Sequence, residues 1–551
     1  WTTNEKQIYI MACAGVAFLL VFSYLPMYGV LLAFKNANKA LDLQKALFNA
    51  DWVGVANFKE FLTDKKFIDV FINTIGLNLL MLLINFPAPI LFALLINEVR
   101  ARLFRNSVVT IASFPHFISW VIFGGIFISL TDMTTGVINP ILEFFHLSSK
   151  ANPVDLRLPQ YFWAEMIIVS LIKNVGWGSI VYIAAIAGID SQIYEAAKID
   201  GANRLQTAVR ITVPLIAPTI TVFLLLNISK LLGNSFEQFY SMQTTANLSR
   251  SEVLATYIYS TGFGRRKYSY AAAMGLFDSV ISLALLIVSN AISKKTTEGT
   301  VLRKKKIYPF DIFNYALLIL FAIVTLYPFW YVIIGSVTNG LVYELGGVWL
   351  LPKNFTTANF SVVLHDDRLW VAFRNTIVRT VFGTAVALLF TSMVAYAMSR
   401  KELRHRKVFR AVNMFTMFFS GGIVPFYMLV NWIGLYNNFL VYILPMSYSV
   451  YNMIVMSSFF GNIPEELRES AVMDGAGEFR VWLQIYMPLS KAVLATVGLW
   501  VAVGHWNAYM ATLLYTNKDS LITLQYYLMR VIKDASMPDG IDGAIAGEIT
   551  S

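Results

Sequence analysis

Two glutamates open the same segment at two places in this chain. Glu195-Ala196-Ala197 runs on to Asp200-Gly201, Ile211 and Pro214. Glu469-Ser470-Ala471 runs on to Asp474-Gly475, Ile485 and Pro488 in the same register. An acid beside small residues suits a charge-assisted hydrogen bond to another protein, because the small face lets that surface approach closely. The chemistry on offer is recognition rather than bond breaking. The plainer alternative is an amphipathic helix at the membrane interface with ordinary caps. A repeat in matched register favours docking, and it makes the chain two related units in tandem.

The local elements follow from residue type. Pro464 fits a first helical turn, and Glu465 and Glu466 suit its positive end. Asp474-Gly475 then ends the helix, because glycine accepts a left-handed cap. A second short helix ends near Pro488. In the first copy Ser191 is the expected cap and Asp200-Gly201 the turn. Each copy reads as a short helix–turn–helix beside the membrane.

The carrier of these segments is legible in composition. Hydrophobic residues make up 57% of the 551 positions and charged residues 14%, where a soluble protein carries about a quarter charged. Long apolar runs predict an all-α, polytopic helical membrane protein. The runs are 8–34, 68–98, 108–131, 162–188, 212–232 and 271–293, then 312–336, 369–399, 409–433, 438–460 and 488–515. The first unit thus has about six spans and the second about five. The chain starts at Trp1 rather than Met, and the polar stretch from Asp534 to Ser551 stands where a sixth span is expected. Both ends are expected to be incomplete, with a final span absent.

The formal charge of +10 comes from short loops. These hold Arg100, Arg102 and Arg105; Lys198, Arg204 and Arg210; Lys294, Lys295, Arg303, Lys304, Lys305 and Lys306; and Arg400, Lys401, Arg404, Arg406, Lys407 and Arg410. Lys/Arg-rich loops face the cytoplasm, so the N-terminus and both repeated segments are placed inside. Arg265-Arg266-Lys267 is a counterexample on the outer side. This pattern points to a membrane and not to nucleic acid. Cys13 is the one cysteine, so no internal disulfide forms, and no Cys/His metal spacing occurs. With five histidines and no catalytic cluster, a membrane-embedded enzyme is disfavoured.

The units divide into 1–300 and 301–551. The abrupt Thr300-Val301 passage favours a junction of two polypeptides over a designed linker. The long outward segments 35–67, 133–161, 241–270 and 338–368 hold Trp52, Asn57 and Phe58, then Trp349, Pro352, Asn359 and Phe360. They either dock an external protein or cap the bundle.

Polar groups inside spans are costly unless they line a cavity. The cargo-pathway candidates are His116, Trp120, Lys173, Asn174, Trp177, Tyr182, Glu237 and Tyr240 in the first unit. In the second they are Tyr451, Asn452, His505, Trp506 and Asn507. Aromatic faces beside amides and charges suit sugars, although interfacial belts are also aromatic.

The doubled segment resembles the EAA motif of ABC importer permeases, the membrane subunits of binding-protein-dependent uptake systems. That motif runs Glu-Ala-Ala, three residues, Gly, nine residues, Ile, one residue, Leu-Pro. Ser470 replaces the middle alanine, and Val213 and Met487 replace leucine. Asn73-Thr74, Asn375-Thr376 and Tyr268-Ser269-Tyr270-Ala271-Ala272-Ala273 also fit the carbohydrate-type subunits. The resemblance implies a type I importer fold in a bacterial cell membrane, with a pseudo-twofold pathway worked by alternating access. Glu195, Ala196, Ala197, Asp200, Gly201 and Pro214, and Glu469, Ser470, Ala471, Asp474, Gly475 and Pro488, would couple to two copies of a cytoplasmic ABC ATPase. An extracellular solute-binding protein would deliver an oligosaccharide. No Gly-x-x-x-x-Gly-Lys-[Ser/Thr] loop occurs, so ATP and Mg belong to the partner subunits and the chain needs no cofactor. The competing readings are a self-sufficient secondary transporter, whose repeats are often inverted, and the same permease type carrying a peptide, amino acid or polyol.

Overall fold

The computed structural model describes residues 2–38, 40, 42–99, 101–149, 153–229, 231, 236–293 and 310–535. Arg100 and the basic stretch from Lys294 to Lys306 lie outside the described residues. The structure is all-helical apart from isolated bridges at Lys35–Trp52 and Thr338–Phe355.

Among the described residues six helices are long and apolar enough to cross a bilayer: Thr3–Phe34, Lys65–Asn97, Pro159–Ala187, Tyr268–Leu285, Phe313–Ser336 and Asp367–Ser399. Their outer faces leave large apolar side chains bare, such as Leu79, Leu83 and Leu91, and Phe382, Val386 and Leu389. Exposed apolar stripes of that kind mark surfaces solvated by lipid rather than water.

Four further apolar runs are not straight spans. Arg102–Phe117 meets Trp120–Leu130 at 101°, and Arg406–Phe418 meets Ile423–Trp432 at 113°. Phe439–Met446 and Val450–Phe460 meet at 47°, and Glu478–Leu489 and Lys491–Asn507 at 87°. The runs 108–131 and 409–433, read from the sequence as simple spans, therefore each contain a break. Its cause is local in both. Pro115 and the capping Ser119 interrupt the first, where Ser119 Oγ accepts from the Ile122 amide. Ser420-Gly421-Gly422 interrupts the second, with Gly422 at φ +88°.

The chain folds into two compact units. One unit holds Trp1–Asp64, Ile258–Val280 and Asp366–Ser551. In it Ile8, Met11 and Leu19 pack with Val394, Met398, Met453, Phe460 and Trp482. The other holds Lys65–Tyr257 and Ile281–His365. There Leu318 packs with Phe92, Ile96 and Val108, and the Asn314 amide donates to the Leu95 carbonyl at 3.0 Å. The packing units are thus distinct from the sequence repeats: each repeat's opening span packs among helices of the other repeat. Gly176 lets the Pro159–Ala187 helix touch backbone, since a Cβ there would lie 2.2 Å from the Ala112 carbonyl carbon.

The repeats recur in detail. Asn73 donates to the carbonyls of Ser249 (2.9 Å) and Glu252 (3.4 Å), and Thr74 Oγ1 accepts from the Leu254 amide. Asn375 donates to Ser520 (2.8 Å) and Ile522 (2.9 Å), and Thr376 Oγ1 accepts from Leu524. After the opening span of each repeat, Asn57 donates to the carbonyls of Ala33 and Lys35, and Asn359 to those of Ser336 and Thr338. These amides satisfy backbone acceptors that would otherwise be left where the chain turns. Lys267 pairs with Glu60 at 3.0 Å, so part of the Arg265-Arg266-Lys267 cluster is matched by a nearby acid.

Candidate functional site

Each repeated segment forms one short helix, a sharp turn and a second helix. The first helix is Ser191–Ile199 in one copy and Glu466–Met473 in the other. The first is capped by Asp190, whose carboxylate accepts from the Gln192 amide at 2.9 Å. Ser191, the expected cap, is the first helical residue; a carboxylate one position earlier takes the capping role. Asp200 and Asp474 close the helices. Gly201 follows at φ +87° and Gly475 at φ +84°, a left-handed backbone that costs glycine least. Past the turn, both copies wind into five residues of π-helix, Ala208–Thr212 and Trp482–Tyr486. Counted from Glu195 and Glu469, the two π-turns occupy the same positions. Nothing in side-chain periodicity announces a π-turn. The copies then diverge: the first continues through Pro214 into Val213–Ser229, and the second bends after Pro488 at Ser490.

The face that carries the repeated glutamate is exposed. Glu195 and Ala196, and Glu469 and Ser470, face outward, while Ala197 is buried and Ala471 half-buried. Four residues beyond each glutamate, on the same helix face, a large apolar side chain also projects: Ile199 is 69% exposed and Met473 87%. An acid and an apolar knob are thus exposed together at matched positions in the two copies.

Beneath these helices lie ionic contacts, in which Arg204 and Arg400 stand out in sequence only as basic-loop residues and Glu98, Arg468 and Glu478 do not stand out. In the first copy Arg204 Nε lies 3.3 Å from Glu98, and the Tyr194 and Thr212 hydroxyls hydrogen-bond at 3.2 Å. Burial pushes the Tyr194 phenol up, and the Glu98 charge adds to the rise. In the second copy Arg468 donates to Glu478 at 2.6 Å, Glu465 at 2.9 Å and Glu402 at 3.0 Å. Burial opposes the Arg468 charge, but the Glu478 contacts outweigh it and hold its proton more tightly. Arg400 donates to Glu465 and to the Tyr486 hydroxyl, each at 2.9 Å, and Tyr396 donates to Glu478.

The cargo candidates separate into smaller groups. His116 stacks on Trp177, with centroids 4.8 Å apart and planes at 6°, and its Nδ1 lies 3.2 Å from Asn174 Oδ1. Lys173 donates to the carbonyls of Pro115 at 2.8 Å, His116 at 3.4 Å and Ile118, and lies 5.2 Å from the Trp120 ring. Its ammonium thus caps the break in the bent helix. Tyr182 is buried in an apolar cluster with Ile186 and Phe223. Glu237 and Tyr240 share the Phe236–Met242 helix, where Tyr240 stacks on Phe236. In the other unit Tyr451 faces Trp500, Asn452 lies in the Val450–Phe460 helix, and Trp506 meets Phe373 edge-on. His505 is fully buried against Gly383, and Asn507 ends its helix. Arg379, which the sequence reading passed over, is fully buried beside them and donates to the Ala508 carbonyl at 2.9 Å. It lies over the Tyr442 ring at 4.9 Å. An arginine within an apolar span was the available signal.

Known proteins resemble this chain in sequence. A model of the binding-protein-dependent transport system inner membrane component matches residues 85–298 and again 369–546. Protein LplB of Bacillus subtilis (strain 168) is 38% identical over 293 residues, covering 53% of this chain and 90% of that protein. The polygalacturonan/rhamnogalacturonan transport system permease protein YteP of the same organism is 36% identical over 296 residues, covering 54% and 90%. Its namesake YtcP is 33% identical over 223 residues, covering 40% and 78%. Two matches to one family, each carrying one copy of the exposed glutamate segment, close the question of class: the chain belongs to the binding-protein-dependent transport system inner membrane components, as two permease units in tandem.

Proposed function

We propose that residues 1–300 and 301–551 form the permease pair of an ATP-driven importer of oligosaccharides. An extracellular solute-binding protein delivers the cargo, and two copies of a cytoplasmic ABC ATPase supply the energy. The observation that carries this reading is the pair of exposed acids, Glu195 and Glu469. Each sits on a short helix closed by a positive-φ glycine and followed by a matched π-turn. A docking helix needs such a rigid presentation to pass force into the membrane spans.

The supporting chemistry is consistent. Basic loops favour a cytoplasmic N-terminus and cytoplasmic docking helices. The sequence carries no phosphate-binding loop, so ATP and Mg are assigned to the partner subunits. Two relatives are named for polygalacturonan and rhamnogalacturonan transport, which makes oligosaccharides of those polymers the first cargo to try. The pairing of His116 with Trp177 offers an aromatic face beside the Asn174 amide, an arrangement suited to a sugar ring.

The test is uptake of a labelled oligogalacturonide into proteoliposomes holding this chain with its ATPase and binding protein. Accumulation that needs both ATP and the binding protein supports the reading. Accumulation driven by an ion gradient alone refutes it.

A further inference from the structure

The helix after each glycine turn leaves the amides of its first turn without an acceptor inside the helix. In the first repeat the segment supplies its own. Asn203 Oδ1 accepts from the Gln206 amide at 2.7 Å, and Gln206 Oε1 accepts from the Asn203 amide at 2.9 Å. This reciprocal pair has the form of a capping box, in which two residues three apart satisfy each other's backbone donors. In the second repeat the same positions, counted from Glu469, hold Gly477 and Arg480. Glycine has no side chain to offer, and Arg480 turns forward to donate to Gln484 Oε1 at 3.1 Å.

A distant part of the chain takes over that role. Gln7 Oε1 accepts from the Phe479 amide at 3.4 Å, in the first turn of the Glu478–Leu489 helix. Gly477 makes room for it: a Cβ there would lie 2.8 Å from Gln7 Oε1 and 2.9 Å from Nε2. The residue that removes the local cap is therefore the one that admits the distant cap. Neighbours hold Gln7 in place. Its helix, Thr3–Leu19, opens with a capping box between Thr2 and Glu5. Ile8 and Met11 are buried in one core with Val481 and Trp482, and Tyr9 meets Phe409 edge-on at 5.4 Å. The contact crosses the repeats, since Gln7 opens the first and Phe479 follows the glutamate of the second.

We propose that the second docking loop is completed by the first repeat: Gln7 is a positioning residue that caps the Glu478–Leu489 helix, so the loop carrying Glu469 is set for its ATPase only when the opening span of the other repeat is seated against it. The first docking loop carries its cap within its own segment, in Asn203 and Gln206. The proposal rests on the docking role proposed for Glu469 above. A permease pair built this way presents its second loop to an ATPase only after the two repeats have joined.

The experiment compares the whole wild-type chain with Gln7→Ala, Gln7→Ala/Gly477→Asn and Asn203→Ala. The readouts are amide hydrogen exchange at 477–482 and 203–208 in nanodiscs, and the ATPase that each chain brings out of native membranes. Loss of a helix cap speeds local opening by roughly 2- to 30-fold. Q7A is expected to quicken exchange at 477–482 within that range, to leave 203–208 unchanged and to lower ATPase recovery at least about twofold. N203A should quicken 203–208 alone. Gly477 has φ −76° and ψ 162°, a backbone that suits an asparagine cap, so adding Gly477→Asn to Q7A should restore both readouts. Where Q7A does not assemble, Gln7→Met, which keeps the length without the oxygen, replaces it with the same changes expected. Unchanged exchange at 477–482, quickened exchange with undiminished ATPase recovery, or no rescue by Gly477→Asn overturns the proposal. A wild-type chain that brings out no ATPase removes the functional reading and the docking half of the proposal, while exchange still decides the cap by itself.

Discussion

Lys173 Nζ donates to the Pro115 carbonyl at 2.8 Å, and the same ammonium serves His116 and Ile118. A cation within an apolar span reads in sequence as a cargo ligand. Around it in the fold are backbone oxygens exposed by a helix break and the faces of Trp120 and Phe123, with the Glu237 carboxylate near enough for its charge to act. Lys173→Met should therefore act on the bent helix first. Leaving a buried carbonyl unpaired costs roughly 1–3 kcal/mol, so thermal unfolding in detergent should show a clear drop in Tm. Oligosaccharide affinity of the surviving folded fraction should change little. Unchanged Tm with lost affinity would return Lys173 to the cargo site.

Asn73 and Asn375 do the same work in the two repeats, each holding two loop carbonyls. Alanine at either position should cost about 1–2 kcal/mol through lost and unsatisfied hydrogen bonds. The two share no hydrogen-bond partner, so the double variant should show the sum within a few tenths of a kcal/mol. Denaturant or thermal unfolding of the single and double variants checks this, and strong non-additivity would show that the loops communicate.

Gly475 has φ +84° and open space where a Cβ would stand. Its need for glycine is therefore conformational and not steric. Gly475→Ala should cost roughly 1–2 kcal/mol from the left-handed backbone, and Gly475→Asn less. Hydrogen exchange should quicken at residues 474–481 in the alanine variant. An unchanged exchange pattern would mean that the turn does not set the loop's order.

Several of these features were legible before the fold was seen. The doubled Glu/Asp-Gly/Pro segment gave the repeat, the short helices and the glycine turn, because a cap and a breaker act locally. The apolar runs located the six straight spans, because lipid demands continuous hydrophobic length, but not the bends of four others or the shorter helix at 212–232. What escaped was non-local. Pro115 and Gly421-Gly422 are visible breakers, yet whether a run bends by 101° or 113° depends on what receives the freed carbonyls, and Lys173 lies far along the chain. Arg400, Arg468 and Glu478 look in sequence like ordinary interfacial charges. Only the fold brings Glu478 and Arg468 under Tyr396 and makes them a buried network. The packing of each repeat's opening span among helices of the other repeat likewise leaves no mark on periodicity.

The central claim is that Glu195 and Glu469 connect this permease to an ATPase, and purification from native membranes tests it most directly. The wild-type chain and the Glu195→Ala/Glu469→Ala variant would be isolated in mild detergent, with the associated ATPase quantified and the unfolding temperature of each measured. A charge-assisted hydrogen bond is worth about 1.5–3 kcal/mol, so losing one at each docking helix should reduce ATPase recovery by about tenfold or more. Both carboxylates are exposed, so Tm should not move. Equal ATPase recovery from the variant at the same Tm would contradict the account.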